Sequence, residues 1–413
     1  MHILLIHQSF ATLDEAGGTR HFELAQHLLL RGHTVTVIAS PISYLTGKTR
    51  AGKMARVQRE SPQPGMTILR PYTYPALHKS FFHRLINFFS FMVSSFLTGL
   101  SVHNVDVVWG TSPPIFQGLT AWLLARLKGT RFLFEVRDLW PAFAIAVGVL
   151  KNRVLITAML WLEKFLYSHA DRVMVNSPGF IQHVTQRGAR WVELVPNGAD
   201  PDMFSPLDKG LEFRQKHGLQ DAFIVLYAGA HGFSNDLDVV LNAASLLCEH
   251  PHIQFVFVGD GKDKPRLQSN AAQLGLKNVH FLPAVPKTEM QEVLAASNAC
   301  LAILKPIELY KTTYPNKVFD YMAAGRPVLL AIDGVIRKVV ESAQAGLFIQ
   351  PGSPQAMAEA VLTLAQDPEQ AVRMGISGSD FIKRNFNRTR LAEQLALLLE
   401  DMVISKQKKV GNG

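Results

Sequence analysis

Short apolar runs and longer amphipathic segments alternate along most of this 413-residue chain. "HILLIHQ" from His2 and "HTVTVIAS" from His33 flank "TRHFELAQHLLLRG", which has helical spacing. Further runs follow at Val105 ("VDVVWGTSP"), Arg131 ("RFLFEVRD"), Asp171 ("DRVMVNSP") and Trp191 ("WVELVPNG"). Continuous rather than alternating apolar character suits strands buried on both faces, as in parallel sheets wound by helices. A second alternation begins near residue 222. "AFIVLYAGA", "IQFVFVGDG", "VHFLPAVP", "ACLAILKP", "VLLAI" and "AGLFIQPG" read as strands, with helices such as "DLDVVLNAASLLCEH", "KPRLQSNAAQLG" and "TEMQEVLAASN" between them. Two Rossmann-like halves are therefore predicted, flanking the Pro/Asp/Gly-rich "PNGADPDMFSPLDKG" at 196–210. Residues 41–75, rich in Pro, Gly and basic residues, read as a long mobile loop, and "SKQKKVGNG" at the end reads as frayed.

One segment departs from this rhythm. In "SFFHRLINFFSFMVSSFLTGL", Ser80 to Leu100, the residues Phe82, Leu85, Ile86, Phe89, Met92, Val93, Phe96, Leu97 and Leu100 share one side of a helical wheel. His83, Arg84, Asn87, Ser90, Ser94 and Thr98 share the other. This is an amphipathic helix, and two readings stand. Its apolar stripe either packs on the sheet or lies in a membrane interface, with Lys79, His83 and Arg84 drawn to anionic headgroups. No stretch is a clean transmembrane span, and the N-terminus reads as a first strand rather than a signal peptide.

Composition narrows the field. The chain is 48% hydrophobic and 18% charged, and 413 residues exceed one ordinary core, so two domains are expected. The net charge of +9 favours anionic partners such as a phosphorylated substrate or an acidic membrane surface. Nucleic acid is not expected, because no basic-aromatic repeat of a nucleic-acid module is present. The two cysteines, Cys248 and Cys300, lie in apolar stretches and are expected to be buried thiols in a reducing compartment. The fifteen histidines are scattered and read as surface or satisfied core residues. No Cys/His cluster has metal-ligand spacing.

Chemistry gathers in the loops after the strands, where doubly wound sheets bind ligands. "TTYPNKVFDYMAAGRPV" places Asn316 and Lys317 at the start of a short helix that Gly325 and Pro327 end. Backbone N–H groups and a lysine there suit an anion. Asp320 lies one turn on, so an ordinary exposed first turn with a Lys317–Asp320 pair is the plainer alternative. "GGTRH", Gly17 to His21, puts two glycines before a helix, but it is not the G-x-G-x-x-G fingerprint. "FVGDGKDKPRL" carries Gly259 into a tight turn, and "FEVRDLWP" puts Arg137 and Asp138 at the end of a strand. That pair reads as a structural ion pair or as a catalytic pair. No G-x-S-x-G elbow, Walker loop or HExxH occurs, which removes the commonest hydrolase, ATPase and metalloprotease readings.

Taken together, "GGTRHFELAQHLLLRGHTVTVIAS", "LVPNGADPDMF", "FVGDGKDKPRL" and "PNKVFDYMAAGRPVLLA" resemble the retaining glycosyltransferases of the GT-B fold, sequence family 4. "RDLWP" and "PNKVFDYMAAGRPV" look most like the bacterial O-antigen, capsule and exopolysaccharide subgroup, fucosamine transferases included. The resemblance implies an α/β fold of two Rossmann-like domains facing each other across a cleft. Residues 1–200 would bind the acceptor and 201–385 the nucleotide sugar, while 386–413 would form a C-terminal helix packing back on the first domain. It implies a UDP-sugar donor and no cofactor or metal. The donor sugar would be a hexosamine or deoxyhexosamine, and the acceptor a polyprenyl-diphosphate-linked or other glycan. The place of action would be the cytoplasmic face of the cell membrane, with residues 80–100 on its anionic surface.

By the same resemblance, Asn316 and Lys317 would hold the donor diphosphate, Asp320 the ribose hydroxyls, and Gly17 and Gly18 would close on the diphosphate from the other domain. Gly232 and Gly259 would line the donor site, and Arg137 and Asp138 would contact the donor sugar or acceptor. Three departures from the family pattern stand out. Thr312 replaces the first of two glutamates, Ala230 and Asn235 stand where an arginine and a lysine are usual, and Arg137 stands where a histidine is usual. Two other readings remain open: a UDP-sugar 2-epimerase of similar fold, and a non-catalytic nucleotide-sugar-binding subunit.

Overall fold

The computed structural model describes residues 1–43, 46–50, 56–75 and 80–411; the side chains of Phe81 and of 406–411 lie outside that description, as do Lys79 and the last two residues. The chain divides into two compact units. One comprises Met1–Thr12, Gly18–Pro196 and Thr389–Gly413; the other comprises Leu13–Gly17 and Asn197–Arg388.

The first unit is built on β1 (His2–Ile6), β2 (Thr34–Ile38), β3 (Val57–Glu60), β4 (Met66–Pro71), β5 (Val107–Ser112), β6 (Arg131–Val136), β7 (Arg172–Val175) and β8 (Val192–Leu194). They form one sheet in the order β3-β4-β2-β1-β5-β6-β7-β8, parallel except for the β3–β4 pair. The second unit holds β9 (Phe223–Ala228), β10 (Ile253–Val258), β11 (Val279–Leu282), β12 (Ala299–Ile303), β13 (Val328–Ala331) and β14 (Gly346–Phe348), ordered β11-β10-β9-β12-β13-β14 and wholly parallel. Both are doubly wound Rossmann-like sheets. Their strands are apolar because helices cover both faces: β5 and β9 are buried at every position. In the second unit two separate apolar layers flank the sheet, one around Phe319, Met322 and Leu330, the other around Phe255, Leu301 and Met357.

Strand order reverses between β1 and β5 in one sheet and between β9 and β12 in the other. Such switch points open a crevice at the carboxyl ends of the strands. The loops that end there start at His7 and Pro113 in the first unit and at Gly229 and Leu304 in the second.

Several sequence expectations are corrected here. Residues 41–75 are not one long loop: among the described residues they carry β3 and β4. Pro and Gly hid this pair, although Met66 and Ile68 alternate inward in "MTILRP" and the buried Arg70 is held by Glu60 at 2.7 Å and by the Ser40 carbonyl at 3.0 Å. Cys248 is exposed, beyond the end of the Leu237–Leu246 helix, while Cys300 is buried in β12. Among the described residues the final segment is helical rather than frayed, since the Arg388–Gly411 helix runs to Gly411. That helix is tied within the first unit by Arg31 to Glu393 (2.5 Å) and Glu400 (3.0 Å), and by His33 to Glu400 (2.9 Å).

The Phe81–Leu100 helix is a correction of a different kind. Its apolar stripe faces outward: Phe82 is 66% exposed, Val93 54% and Leu97 61%. Its packed face is built from Asn87 and Ser95, both fully buried, together with Phe91 and Gly99. Gly99 sits against Leu124, where an added Cβ would lie 2.4 Å from the leucine methyl. Asn87 bridges Gln8 Nε2 (2.7 Å) and the Tyr74 carbonyl (2.6 Å), which satisfies an amide that burial would otherwise penalise. The wheel found two faces correctly but could not say which one the protein covers.

Candidate functional site

In the second unit, the switch-point loops converge on Lys317. The Asn316–Ala323 helix begins after Pro315, and Gly325, at φ +68°, ends it. Lys317 turns back under the loop after β9. Its Nζ lies 3.7 Å from the centroid of the Tyr227 ring and is buried without a hydrogen-bond partner. Burial pushes this amine down to about 7. The glycines beside it are sterically required. A Cβ on Gly229 would meet Lys317 Nζ at 2.7 Å, and one on Gly259 (φ +154°) would meet the Gly229 carbonyl at 1.9 Å. Gly232 has an ordinary backbone angle (φ −122°) and room for a side chain. Its loop also holds His231, fully buried with neither ring nitrogen partnered, and lowered to about 4 chiefly by burial and then by the Lys264 and Lys317 charges.

The Lys317–Asp320 pair does not form. Asp320 instead meets Lys287 Nζ at 2.7 Å, and Asn316 Nδ2 at 3.4 Å. Asn316 Oδ1 in turn accepts from Arg388 at 3.2 Å. Sequence reasoning found a depleted set of cations here and missed three. Lys264, at the start of its helix, donates to the Gly259 and Leu282 carbonyls at 2.7 Å each; Lys287 and Arg388 are the others. "GDGKDK" held the signal for Lys264, as the second of two lysines that follow a Gly-Asp-Gly turn and lead into a helix. Lys287 and Arg388 had none, because each reaches this place through tertiary folding. Of the departures, Thr312 caps its own turn through the Leu309 carbonyl (2.7 Å), and Asn235 donates to the Ala230 carbonyl (3.0 Å), so these positions brace the loop backbone.

In the first unit, the carboxyl ends of β1, β5 and β6 assemble a buried network around Glu135. Arg20 Nη1 donates to Glu135 Oε1, and Arg20 Nη2 donates to the Val195 carbonyl at 2.7 Å. His21 Nε2 and Trp109 Nε1 both donate to Glu135 Oε2, at 2.7 and 3.0 Å. Burial by itself would raise the Glu135 carboxyl; the His21 and Arg20 contacts outweigh it and hold the group at about 2. Burial in turn pushes His21 down to about 4 despite Glu135, so its ring is neutral near pH 7. His7 stacks on His21 with ring centroids 4.0 Å apart and shares a 2.8 Å contact with Thr111 Oγ1. Neither histidine is a satisfied core residue: His7 Nε2 and His21 Nδ1 are buried without partners.

Arg137 extends from the end of β6, donates to the Pro113 carbonyl at 3.4 Å and adds its charge to the field around His7, His21 and Glu135. Burial raises Asp138 to about 6, against the pull of Arg137. The structure thus brings Arg137 and Asp138 together with this network. It brings Asn316, Lys317, Asp320 and Gly259 together in the other unit. Gly17 ends the segment that clusters with the second unit, and Gly18 begins the return to the first. No side chain would be obstructed at Gly18, where a Cβ has open space. Among the described residues, no group of three or more His, Cys, Asp or Glu is arranged to hold a metal ion.

Each doubly wound unit thus gathers charged and imidazole groups at the carboxyl ends of its strands, the place where such sheets bind ligands. Comparison with known proteins makes this specific. Residues 16–198 match the family described as "Glycosyl transferase 4-like domain" and residues 211–381 the family described as "Glycosyl transferases group 1", so the chain belongs to the GT-B glycosyltransferases of group 1. A putative colanic acid biosynthesis glycosyl transferase, WcaI of Escherichia coli K12, is 27% identical over 317 residues, covering 73% of this chain and 76% of the relative. Among solved structures, sucrose-phosphate synthase of Thermosynechococcus elongatus superposes with a TM-score of 0.79 at 19% identity, covering 98% of this chain and 99% of the other. HepE of Anabaena, solved in complex with UDP-glucose, gives 0.72 at 17% identity, covering 97% and 100%. The fold is therefore GT-B, as the motifs implied.

Proposed function

We propose that this glycosyltransferase moves a sugar from a UDP-sugar to a hydroxyl of a lipid-linked saccharide in bacterial surface polysaccharide synthesis, with retention of anomeric configuration and without a metal. The observation that carries the reading is Lys317. A buried amine without a partner, framed by glycines that allow close backbone approach, suits the diphosphate of a nucleotide sugar. UDP-glucose bound to HepE, a protein of the same fold, supports uridine as the base. Relatives such as WcaI support the pathway.

In this scheme Lys317 and the N–H groups of Asn316–Ala323 stabilise charge that develops on the leaving diphosphate. Asn316 and Asp320, fixed by Arg388 and Lys287, face the ribose, and Gly232 and Gly259 bring backbone to the donor. Gly17 and Gly18 serve the same diphosphate, and Arg137 with Asp138 serves the acceptor or donor sugar. Attack occurs on the face from which UDP departs, with a departing phosphate oxygen accepting the acceptor's proton.

The enzyme works at the inner face of the cell membrane. The outward apolar stripe of Phe81–Leu100 supports this, as does its setting. No helix among the described residues is long and apolar enough to cross a membrane. The Phe81–Leu100, Phe116–Leu127 and Arg153–His169 helices expose Phe82, Leu97, Leu127, Val154 and Trp161. Their one acidic residue, Glu163, is buried against His183 and Arg187. On these three helices the exposed charged side chains among the described residues are cations, Arg126, Arg153 and Lys164, and an apolar surface so charged fits anionic headgroups.

The test is a thermal-shift series with UDP, GDP, ADP and NAD on wild type and Lys317→Ala, followed by NMR of the product's anomeric centre with and without EDTA. Stabilisation by UDP alone, lost in the variant, is expected, with a retained linkage insensitive to EDTA. An inverted product sinks the retaining mechanism. UDP binding without turnover on any acceptor leaves a non-catalytic binding subunit.

A further inference from the structure

The stacked histidines at the end of β1 carry two buried nitrogens without a partner, His7 Nε2 and His21 Nδ1. Their neighbours fix what each nitrogen offers. Gln117 Oε1 accepts from the Gln8 N–H at 2.7 Å, so the amide nitrogen of Gln117 is the atom that faces Thr111, and it donates to Thr111 Oγ1 at 3.0 Å. The Thr111 proton then goes to His7 Nδ1, which lies 2.8 Å away, rather than to the Ile6 carbonyl at 3.5 Å. A His7 ring that accepts at Nδ1 carries its own proton on Nε2. In His21 the ring Nε2 donates, because Glu135 Oε2 at 2.7 Å belongs to an ionised carboxylate that only accepts. Its Nδ1 is therefore a lone pair, since burial keeps the ring neutral. The pair thus presents one unused donor and one unused acceptor on rings 4.0 Å apart.

We propose that His7 and His21 form a subsite for the hydroxyls of a neutral saccharide, with His7 Nε2–H donating to a sugar oxygen and His21 Nδ1 accepting from the same hydroxyl or its neighbour. That the sugar belongs to the acceptor rests on the glycosyl transfer proposed above.

The chemistry selects this class of ligand. A fully ionised carboxylate or phosphate oxygen accepts from His7 but has no proton for His21. An ammonium group donates to His21 but leaves the His7 N–H facing a cation. A hydroxyl does both. Position agrees with it, because the pair sits where strand order reverses between β1 and β5, and such crevices take ligands. The pair is also held in place: Glu135 orients His21, and Trp109 and Arg20 orient Glu135 in turn. Both histidines lie closed beneath the turn that follows β1, where the Phe10 ring stands edge to face with His7, centroids 6.2 Å apart. The sugar reaches them when that turn lifts. The subsite orients the saccharide, and no proton is transferred to His21.

The experiment uses the full, deuterated chain labelled with 15N-histidine, its ring signals assigned through the backbone. Without ligand, both rings are expected as neutral Nε2–H tautomers near pH 7. A proton on His7 Nδ1, or a doubly protonated ring, overturns the proposal without recourse to any variant. Methyl glycosides of glucose, N-acetylglucosamine and fucose are then titrated in, with inorganic phosphate as the control. At least one glycoside is expected to move His7 Nε2 and His21 Nδ1 together and saturably, while phosphate does not. His7→Phe and His21→Phe keep a ring in the stack, and melting curves check that each variant folds. Each should weaken the glycoside's effect on the remaining histidine at least tenfold. Signals that no glycoside moves, with magnetisation transfer from water alone, leave an internal water at the pair and overturn the proposal, as does an equal response to phosphate. The UDP thermal shift is read on the same sample. Glycoside binding without a UDP response sinks the glycosyl-transfer reading and leaves the subsite standing; a UDP response without any histidine shift does the reverse.

Discussion

Gln8 Nε2, just past the end of β1, donates to Asn87 Oδ1 at 2.7 Å in the fully buried seam beneath the Phe81–Leu100 helix. This bond settles which face of the helix the protein covers. It also joins two parts of the first unit. From Asn87 the polar chain runs through Gln8, whose N–H donates to Gln117 Oε1 (2.7 Å), and through Gln117 Nε2 to Thr111 Oγ1 (3.0 Å). Thr111 meets His7, and His7 stacks on His21 beside Glu135. The apolar surface and the strand-end network are thus two ends of one buried polar path.

Asn87→Leu should lower stability by about 2–3 kcal/mol, because it leaves buried partners at Gln8 and the Tyr74 carbonyl unsatisfied. Val93→Ser and Leu97→Ser, on the outward face, should change the melting temperature by less than about 2 °C. Binding to anionic vesicles should show the reverse order, weakened by the serines and nearly untouched by Asn87→Leu. Paired melting and co-sedimentation curves check this.

Lys317 titrates near 7 when folded and near 10.5 when unfolded. A group depressed in the fold contributes stability that is present above its unfolded value and is lost as pH falls through its folded value. Lys317→Met should therefore raise the melting temperature of the ligand-free protein at pH 7 by about 3 °C or more. The gain should vanish toward pH 10.5. The same variant should lose the UDP-induced shift. In wild type at pH 8, UDP binding should take up a proton, measured by calorimetry in buffers of different ionisation enthalpy.

Glu135→Gln removes the negative charge that Arg20 is buried against. Leaving the guanidinium uncompensated should cost about 3–5 kcal/mol, seen as a melting temperature lower by about 10 °C. Glu135→Gln with Arg20→Met should recover part of that loss, because the uncompensated charge goes with Arg20.

Asp138 has its carboxyl raised to about 6 from 3.8. A raised group contributes stability that is full below its unfolded value and is lost as pH rises through its folded one. Asp138→Asn should therefore match wild type near pH 4 and melt higher at pH 7.5. Scans across pH 4–8 would show the two curves parting between about 4 and 6.

Sequence by itself determined the two Rossmann-like halves and twelve of the fourteen strands. Their apolar runs are continuous because both faces of each sheet are covered, a constraint written residue by residue. It also placed Asn316 and Lys317 at the start of a helix that Gly325 ends, since caps and stops are local chemistry. Tertiary structure alone decided what each polar group meets. Lys287 takes Asp320, Arg388 takes Asn316, and Lys317 turns to Tyr227, all across sequence separations that no local pattern records. It likewise gathered His7, Trp109 and Glu135 from three neighbouring strands and Arg20 and His21 from the start of a helix. And it decided that the polar face of Phe81–Leu100 is the inner one. A hydrophobic period marks that a helix has two faces, but which face is covered depends on whether the neighbouring elements offer hydrocarbon or, as Gln8 and the Tyr74 carbonyl do, hydrogen bonds.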